Sequence, residues 1–270
     1  MVHATRFLLV FLLLGLLYPI SSKAQQDIYN YNWKIDVPVT LFGVAGSAYG
    51  FYKIGQKPSS DSATVVNLDR NDIIPLNRSS IHPYDEKIGN ITDIFFYGAY
   101  PYPFLLLLDK DIRRDGWTVY GIYLETIALV GAGYSLTAAH VDKYRPYVYH
   151  PETSLAKKKG SGSINSFYGG HPSATAAATF FTAKVYGDYH PESAFKYVVY
   201  GAAGTLTLAS AYFRWKGGYH FLTDMAIGVG YGTALGILIP EFHKKKNTDT
   251  GLFILPFTGQ YNGLNLTYRL

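Results

Sequence analysis

Arg214-Trp215-Lys216-Gly217-Gly218-Tyr219-His220-Phe221-Leu222-Thr223-Asp224 places an arginine ahead of a histidine, with an aspartate four residues beyond it. Upstream lie Tyr144-Arg145-Pro146 and Gly169-Gly170-His171. Three separated segments thus supply two arginines, two histidines, a carboxylate and a glycine pair. This inventory suits phosphoryl transfer. A phosphoryl group in transit spreads negative charge over its equatorial oxygens, so catalysis is mostly positioning and charge stabilisation. Arg145 and Arg214 each offer a planar fork of donors. Gly169 and Gly170 fall where a helix should begin, so backbone N–H groups and the helix N-terminus would favour an anion there. One imidazole can attack phosphorus while the other protonates the leaving oxygen. The four-residue step from His220 to Asp224 puts both on one helix face, so the carboxylate is expected to orient the ring.

These segments resemble the type 2 phosphatidic acid phosphatase family, whose site is shared by bacterial class A acid phosphatases and vanadate haloperoxidases. The family pattern is Lys-x6-Arg-Pro, then Pro-Ser-Gly-His, then Ser-Arg-x5-His-x3-Asp, and the resemblance covers roughly residues 94–240. It implies His220 as nucleophile, Asp224 as its partner and His171 as general acid. Arg145, Arg214, Gly169 and Gly170 would hold phosphate. The chain departs from the pattern at four positions, one of them Tyr168 in place of the proline of Pro-Ser-Gly-His. The family lysine falls on Ala138, its Pro-Ser-Gly-His serine on Gly169, and the serine before the third-motif arginine on Phe213. Lys143 is close to Arg145, but on a helix a two-residue offset points it elsewhere. Restoring the cation by Ala138→Lys should raise turnover if the first-motif helix keeps the family register.

Composition bounds the class. Of 270 residues, 48% are apolar and only 16% charged, below the ordinary soluble share. The mean hydropathy of +0.03 is low for a chain made mostly of membrane spans. The net charge of +5 suits phosphate or anionic lipid. The basic residues are scattered, so nucleic acid is not an expected partner. With no cysteine, disulfides and thiolate metal sites are excluded. His171, His220 and Asp224 would also serve as zinc ligands, but two flanking arginines repel a cation and attract an anion. No cofactor and no metal are expected, and no nucleotide-binding glycine motif is present.

At the N-terminus, Arg6 precedes the apolar run 7–18, Pro19 breaks it, and Ser22-Lys23-Ala24 offers a cleavage site, so residues 1–24 read as a signal peptide. Residues 25–93 read as an N-terminal helix over 37–52 and a long polar connection. Residues 94–246 read as the phosphatase-like helical core and 247–270 as a C-terminal β-hairpin tail. Within the core, Pro101 and Pro103 break the apolar run 94–108. Helices are expected over 117–139, 171–187, 195–213 and 220–239. Gly228, Gly232 and Gly236 would let another helix backbone approach. Glu125, Lys184 and Asp224 should face the bundle interior or lie at its ends. If the broken 94–108 segment does not cross the membrane, the motifs face the exported side.

The expected fold is therefore all-α, a bundle of about six helices with a small C-terminal hairpin. It would be exported to a bacterial envelope and membrane-associated with a periplasm-facing site, or soluble in the periplasm. The expected activity is metal-independent hydrolysis of a phosphomonoester or lipid (di)phosphate through a phosphohistidine. Two alternatives are a non-catalytic relative that binds phosphorylated lipid or an envelope partner, and vanadate-dependent peroxidase chemistry. The residues give no oligomeric state.

Overall fold

A computed structural model describes residues 27–245 and the backbone of 251–257 and 263–269; the expected signal peptide lies outside them. The chain is mainly helical. Among the described residues are six helices of 14 residues or more: α1 (Trp33–Gly55), α2 (Glu86–Ala99), α3 (Gly116–His140), α4 (Gly170–Tyr189), α5 (Phe195–Lys216) and α6 (Leu222–His243). Asn32 and Asp85 cap α1 and α2, their side chains accepting from Lys34 N and Ile88 N. After α2, Pro101 and Pro103 turn the chain into a 3-10 segment, Tyr102–Leu108. The polar connection expected over 53–93 is shorter than its composition suggested. Helix α1 runs on to Gly55 and α2 starts at Glu86, so the boundary expected at residues 93 and 94 falls inside α2.

Helix α4 is the axis of the bundle. It packs on α2, α3, α5 and α6. Small residues make this possible: Ala176, Ala177, Ala178 and Ala183 are fully buried. Its buried threonines satisfy their hydroxyls within the helix, Thr179 Oγ1 donating to Thr175 O at 2.8 Å and Thr182 Oγ1 to Ala178 O at 2.9 Å. The glycine stripe of α6 faces this helix. A Cβ on Gly232 would lie 2.0 Å from Ser173 O, and one on Gly236 would lie 2.6 Å from Ala177 O, so only glycine permits the approach. Helix α1 packs along α3, with Gly43 against Ala128 and Gly50 against Ser135. Glu125, Lys184 and Asp224 are all buried, as their charge requires.

All six traverses run end to end. At one end, Lys57 Nζ donates to Asn165 Oδ1 (3.1 Å) and Tyr147 N to Gly218 O (3.0 Å). At the other, Asn30 N donates to His243 O (2.8 Å) and Tyr29 OH to Asp188 Oδ2 (2.6 Å). There His190 Nε2 also meets Asp109 Oδ2 at 2.9 Å. The broken 94–108 segment therefore traverses the bundle from the first end to the second, contrary to the non-crossing path considered above. A membrane-spanning bundle with an exported Gln25 would carry the motifs to the inner face. A site on the exported face requires the residues ahead of Trp33 to begin inside.

Segments Glu86–Leu108, Gly116–His140 and Leu222–His243 are long and apolar enough to cross a membrane. Helices α1 and α5 turn large apolar side chains outward, among them Trp33, Leu41, Phe42, Tyr197, Val198 and Leu208. Water is a poor solvent for so large a surface, and lipid a good one. Residues 251–257 and 263–269 pair as two antiparallel strands. The turn between them lies outside the described residues, so the expected C-terminal hairpin is not established as a closed unit.

Candidate active site

The three motifs meet where α3, α4, α5 and α6 end or begin. Helix α3 stops at His140, and residues 141–145 continue extended. Lys143 N donates to Ile164 O and Arg145 N to Ser163 O, both below 3 Å, so this stretch runs beside 163–166 like a strand. In an extended chain residues two apart share a face. Lys143 thus points to the same side as Arg145, and the helical argument that sent it elsewhere is corrected. Ala138, the position of the family lysine, is fully buried inside α3. An ammonium placed there would be desolvated in a packed core, so the gain expected from Ala138→Lys does not stand.

His220 sits in the turn between α5 and α6, ahead of the first residue of α6. The helix-face pairing expected with Asp224 therefore does not form. Instead the His220 ring meets Ser166 O with Nδ1 at 2.6 Å. A carbonyl only accepts, so Nδ1 carries the proton and Nε2 keeps its lone pair. Asp224 acts one step away. Its Oδ2 accepts from Ser166 Oγ at 2.7 Å and from Phe221 N at 3.2 Å. Its Oδ1 pairs with Lys143 Nζ. Ser166 thus joins the pair: its hydroxyl is held by Asp224 and its carbonyl holds His220. Burial first, and then the charges of Arg145 and Arg214, push the His220 imidazole well below its ordinary pKa. The ring is neutral at pH 7, the form that attacks.

Arg145 and Arg214 stand against Tyr219, their guanidinium carbons 5.6 and 4.6 Å from its ring centroid. The Nε of each arginine is buried and finds no acceptor among the described residues. A buried, unpaired cationic donor is costly, and two side by side mark a place prepared for an anion. Arg214 spends one Nη2 contact on Asp93 Oδ1, at 3.0 Å. The same oxygen meets His171 Nε2 at 3.0 Å. Asp93 comes from α2, and neighbouring Phe96 lies against the His171 ring, with centroids 4.3 Å apart.

The glycine pair divides. Gly169 N donates to Asp224 O at 3.0 Å, so its N–H is spent, and the phosphate contact expected of it is corrected. A Cβ on Gly170 would meet the Tyr134 ring at 2.7 Å, so close packing demands glycine there. Gly170 opens α4, whose first-turn N–H groups have no intrahelical acceptor and remain suited to an anion.

Sequence reasoning placed His171, His220, Arg145 and Arg214 in one site, and the structure brings them together. It turned Lys143 away from the site and missed Ser166 and Asp93. Only the end of α3 at the extended Val141 would have revealed Lys143. Asp93 carries no motif, and its contact with His171 spans 78 positions.

Comparison with known proteins adds the family. Residues 119–248 match the model of the PAP2 superfamily. The match contains the residues of this site except Asp93 and Phe96. Among solved structures, the chain resembles the first transmembrane PAP2 type phosphatidylglycerolphosphate phosphatase from Bacillus subtilis, at 18% identity and a TM-score of 0.38. The similarity covers 78% of this chain and 96% of that one. No curated protein matches the chain. The segment 119–248, just under half of the chain, is similar to the PAP2 superfamily and carries Arg145, His171, Arg214, His220 and Asp224 in the motif positions.

Proposed function

We propose that this protein is a membrane-embedded phosphatase of a bacterial envelope that hydrolyses a phosphomonoester or lipid (di)phosphate through a phosphohistidine. The match of residues 119–248 to the PAP2 superfamily supports phosphatase chemistry. The observation that carries the reading is the pair of buried arginine Nε groups without acceptors. They flank a neutral histidine whose Nδ1 proton is tied to Ser166 O.

In this reading the phosphoryl oxygens occupy the arginine forks and the first turn of α4. His220 Nε2 attacks phosphorus, and the bond to the leaving oxygen breaks. His171 supplies the proton that the leaving oxygen takes. The Asp93 carboxylate and the charge of the incoming phosphoryl group favour the imidazolium that carries this proton, against burial and the two arginines, and Asp93 orients the ring toward a leaving oxygen that enters between His171 and Arg214. Water then attacks the phosphorus–nitrogen bond. His171 accepts a proton from that water, phosphate departs, and neutral His220 is restored. Each step uses side chains of the site and water, and none needs a metal ion.

The test is phosphate release from a panel of lipid phosphates, lipid diphosphates and soluble phosphomonoesters, with and without chelator and vanadate. Turnover should survive brief chelation and be inhibited by vanadate, which takes the arginine-lined seat. No release from any substrate, with vanadate or phosphate still binding, would support the non-catalytic alternative. Recovery of a chelated protein only on adding zinc would support metal chemistry at His171, His220 and Asp224. The side of the membrane is a separate question. The natural chain has no cysteine, so Ser154→Cys at the site end and Ser193→Cys at the far end can be labelled singly with an impermeant maleimide. If the bundle spans, labelling from outside should reach one and not the other. Labelling of both would favour a soluble periplasmic protein.

A further inference from the structure

A second cluster of ionisable groups lies at the end of the bundle away from the phosphate site. Asp36 in the first turn of α1, Glu125 in α3 and His243 in the last turn of α6 each offer one ligand atom, all within 4.8 Å of one another. Asp36 and Glu125 are buried. Among the described residues Glu125 Oε2 makes no hydrogen bond of good geometry; its ion-pair contact is His243 Nε2, at 3.5 Å, and its residue is only 5% exposed. None of these groups takes part in the reaction proposed above.

We propose that Asp36, Glu125 and His243 form a zinc-type divalent-cation site, independent of the phosphatase reading. The spacing is the first argument. His243 Nε2 lies 3.3 Å from Asp36 Oδ2 and 3.5 Å from Glu125 Oε2. Charge-assisted N–H···O bonds are shorter, about 2.7–2.9 Å. Ligand atoms about 2.0–2.1 Å from a tetrahedral zinc ion stand about 3.3–3.4 Å apart. The distances fit the edges of a metal tetrahedron better than a pair of ion-paired hydrogen bonds.

Charge is the second argument. Two buried carboxylates face one imidazole, so even a protonated ring leaves a net negative charge in a low-dielectric interior. The nearby lysines are engaged elsewhere: Lys244 pairs with Asp188 (2.8 Å) and Lys245 with Asp27 (3.3 Å). A divalent cation balances both carboxylates. The supporting contacts are the third argument. His243 Nδ1 donates to Ile239 O at 2.8 Å, which fixes the tautomer that leaves Nε2 for a metal. Asp36 Oδ2 also accepts from Asn32 N at 2.6 Å, so its carboxylate is already oriented. A surface depression lined in part by Asn32, Asp36, His243 and Lys244 reaches two of the three ligand residues from outside.

The test uses the full chain, purified, stripped with chelator and dialysed against zinc chloride alone. The parent should take up one zinc ion per chain and gain thermal stability. Glu125→Gln and Asp36→Asn, which preserve side-chain volume, should each weaken zinc binding at least tenfold and abolish the stabilisation. His171→Ala at the phosphate site should keep the full stoichiometry. In zinc-free buffer Glu125→Gln should be at least as stable as the parent, because it removes an uncompensated charge. The proposal is overturned if the parent binds no zinc, or if His171→Ala rather than Glu125→Gln removes the ion. It is also overturned if Glu125→Gln destabilises the zinc-free protein, which is what a plain imidazolium–carboxylate cluster would give.

Discussion

The two halves of the candidate site are built differently. The His220 half is sealed: His220, Ser166 and Asp224 are each 2% exposed or less, and all lie within the family segment. The His171 half is open. The His171 side chain is 29% exposed and that of Asp93 44%, and Asp93 comes from outside that segment. The difference matches the chemistry each half would perform. A nucleophile does the same thing to every substrate and benefits from a fixed tautomer in a dry seat. A general acid meets the leaving group, the part that varies between substrates, and must be reachable. The sealed half should therefore respond to mutation equally for all substrates, and the open half unequally.

The largest expected effect is His220→Ala. It removes the only imidazole in the sealed half, so turnover should vanish for aryl and alkyl phosphates alike in a phosphate-release assay. Residual activity within tenfold of the parent would break the comparison at once. Asp224→Asn comes next. It weakens the grip on Ser166 and leaves Lys143 beside a neutral amide, so kcat should fall about a hundredfold, equivalent to about 2.7 kcal/mol. The loss should be the same for both leaving-group classes. A loss confined to alkyl substrates would place Asp224 on the acid side instead.

On the open half, His171→Ala should cost about a hundredfold with alkyl phosphates, the scale of general acid catalysis. With p-nitrophenyl phosphate, whose leaving oxygen needs no proton, the cost should be only a few-fold. Asp93→Asn should show the same asymmetry at about tenfold, because it loosens the proton held on His171 without removing the ring. Equal losses on both substrates would make Asp93 a structural ligand of Arg214.

The smallest effect is a shift in pH dependence. Attack needs neutral His220, and the neutral fraction falls as pH drops through the folded pKa. Burial and the two arginines depress that pKa well below its ordinary value. The acid limb of kcat/KM due to His220 should therefore lie well below pH 6.5. Arg145→Gln removes one depressing charge, so the limb should move to higher pH even as the rate falls. A shift to lower pH would contradict the charge arrangement.

Much of this architecture was legible from residue spacing. The apolar lengths located five of the six long helices, α2 beginning well ahead of the apolar run 94–108, and the glycines at 228, 232 and 236 announced the close contact of α6 with α4. Arg145, His171, Arg214 and His220 could be named because their chemistry is tied to short motifs. What failed was local conformation at the motif edges. Lys143 was misdirected because nothing in 138–145 marks where α3 ends, and one change from helix to extended chain turns a two-residue offset from opposite faces to the same face. The role of Asp224 was misread for a related reason, since His220 lies ahead of α6 rather than on it. Asp93 was invisible because a contact across 78 positions leaves no mark in one sequence. Ala138 illustrates the converse. Its motif position invited a lysine, but full burial in α3 forbids one. Ala138→Lys should therefore express as an unstable or unfolded protein rather than a faster enzyme, as a thermal melt would show.

The central claim is covalent: phosphate passes through His220. Rapid quenching during turnover of a substrate labelled with radioactive phosphorus tests it directly. The account predicts label on the protein in an acid-labile, base-stable form, mapped to the peptide containing His220 and absent from His220→Ala. Steady turnover with no labelled protein, or label on another residue, would contradict it.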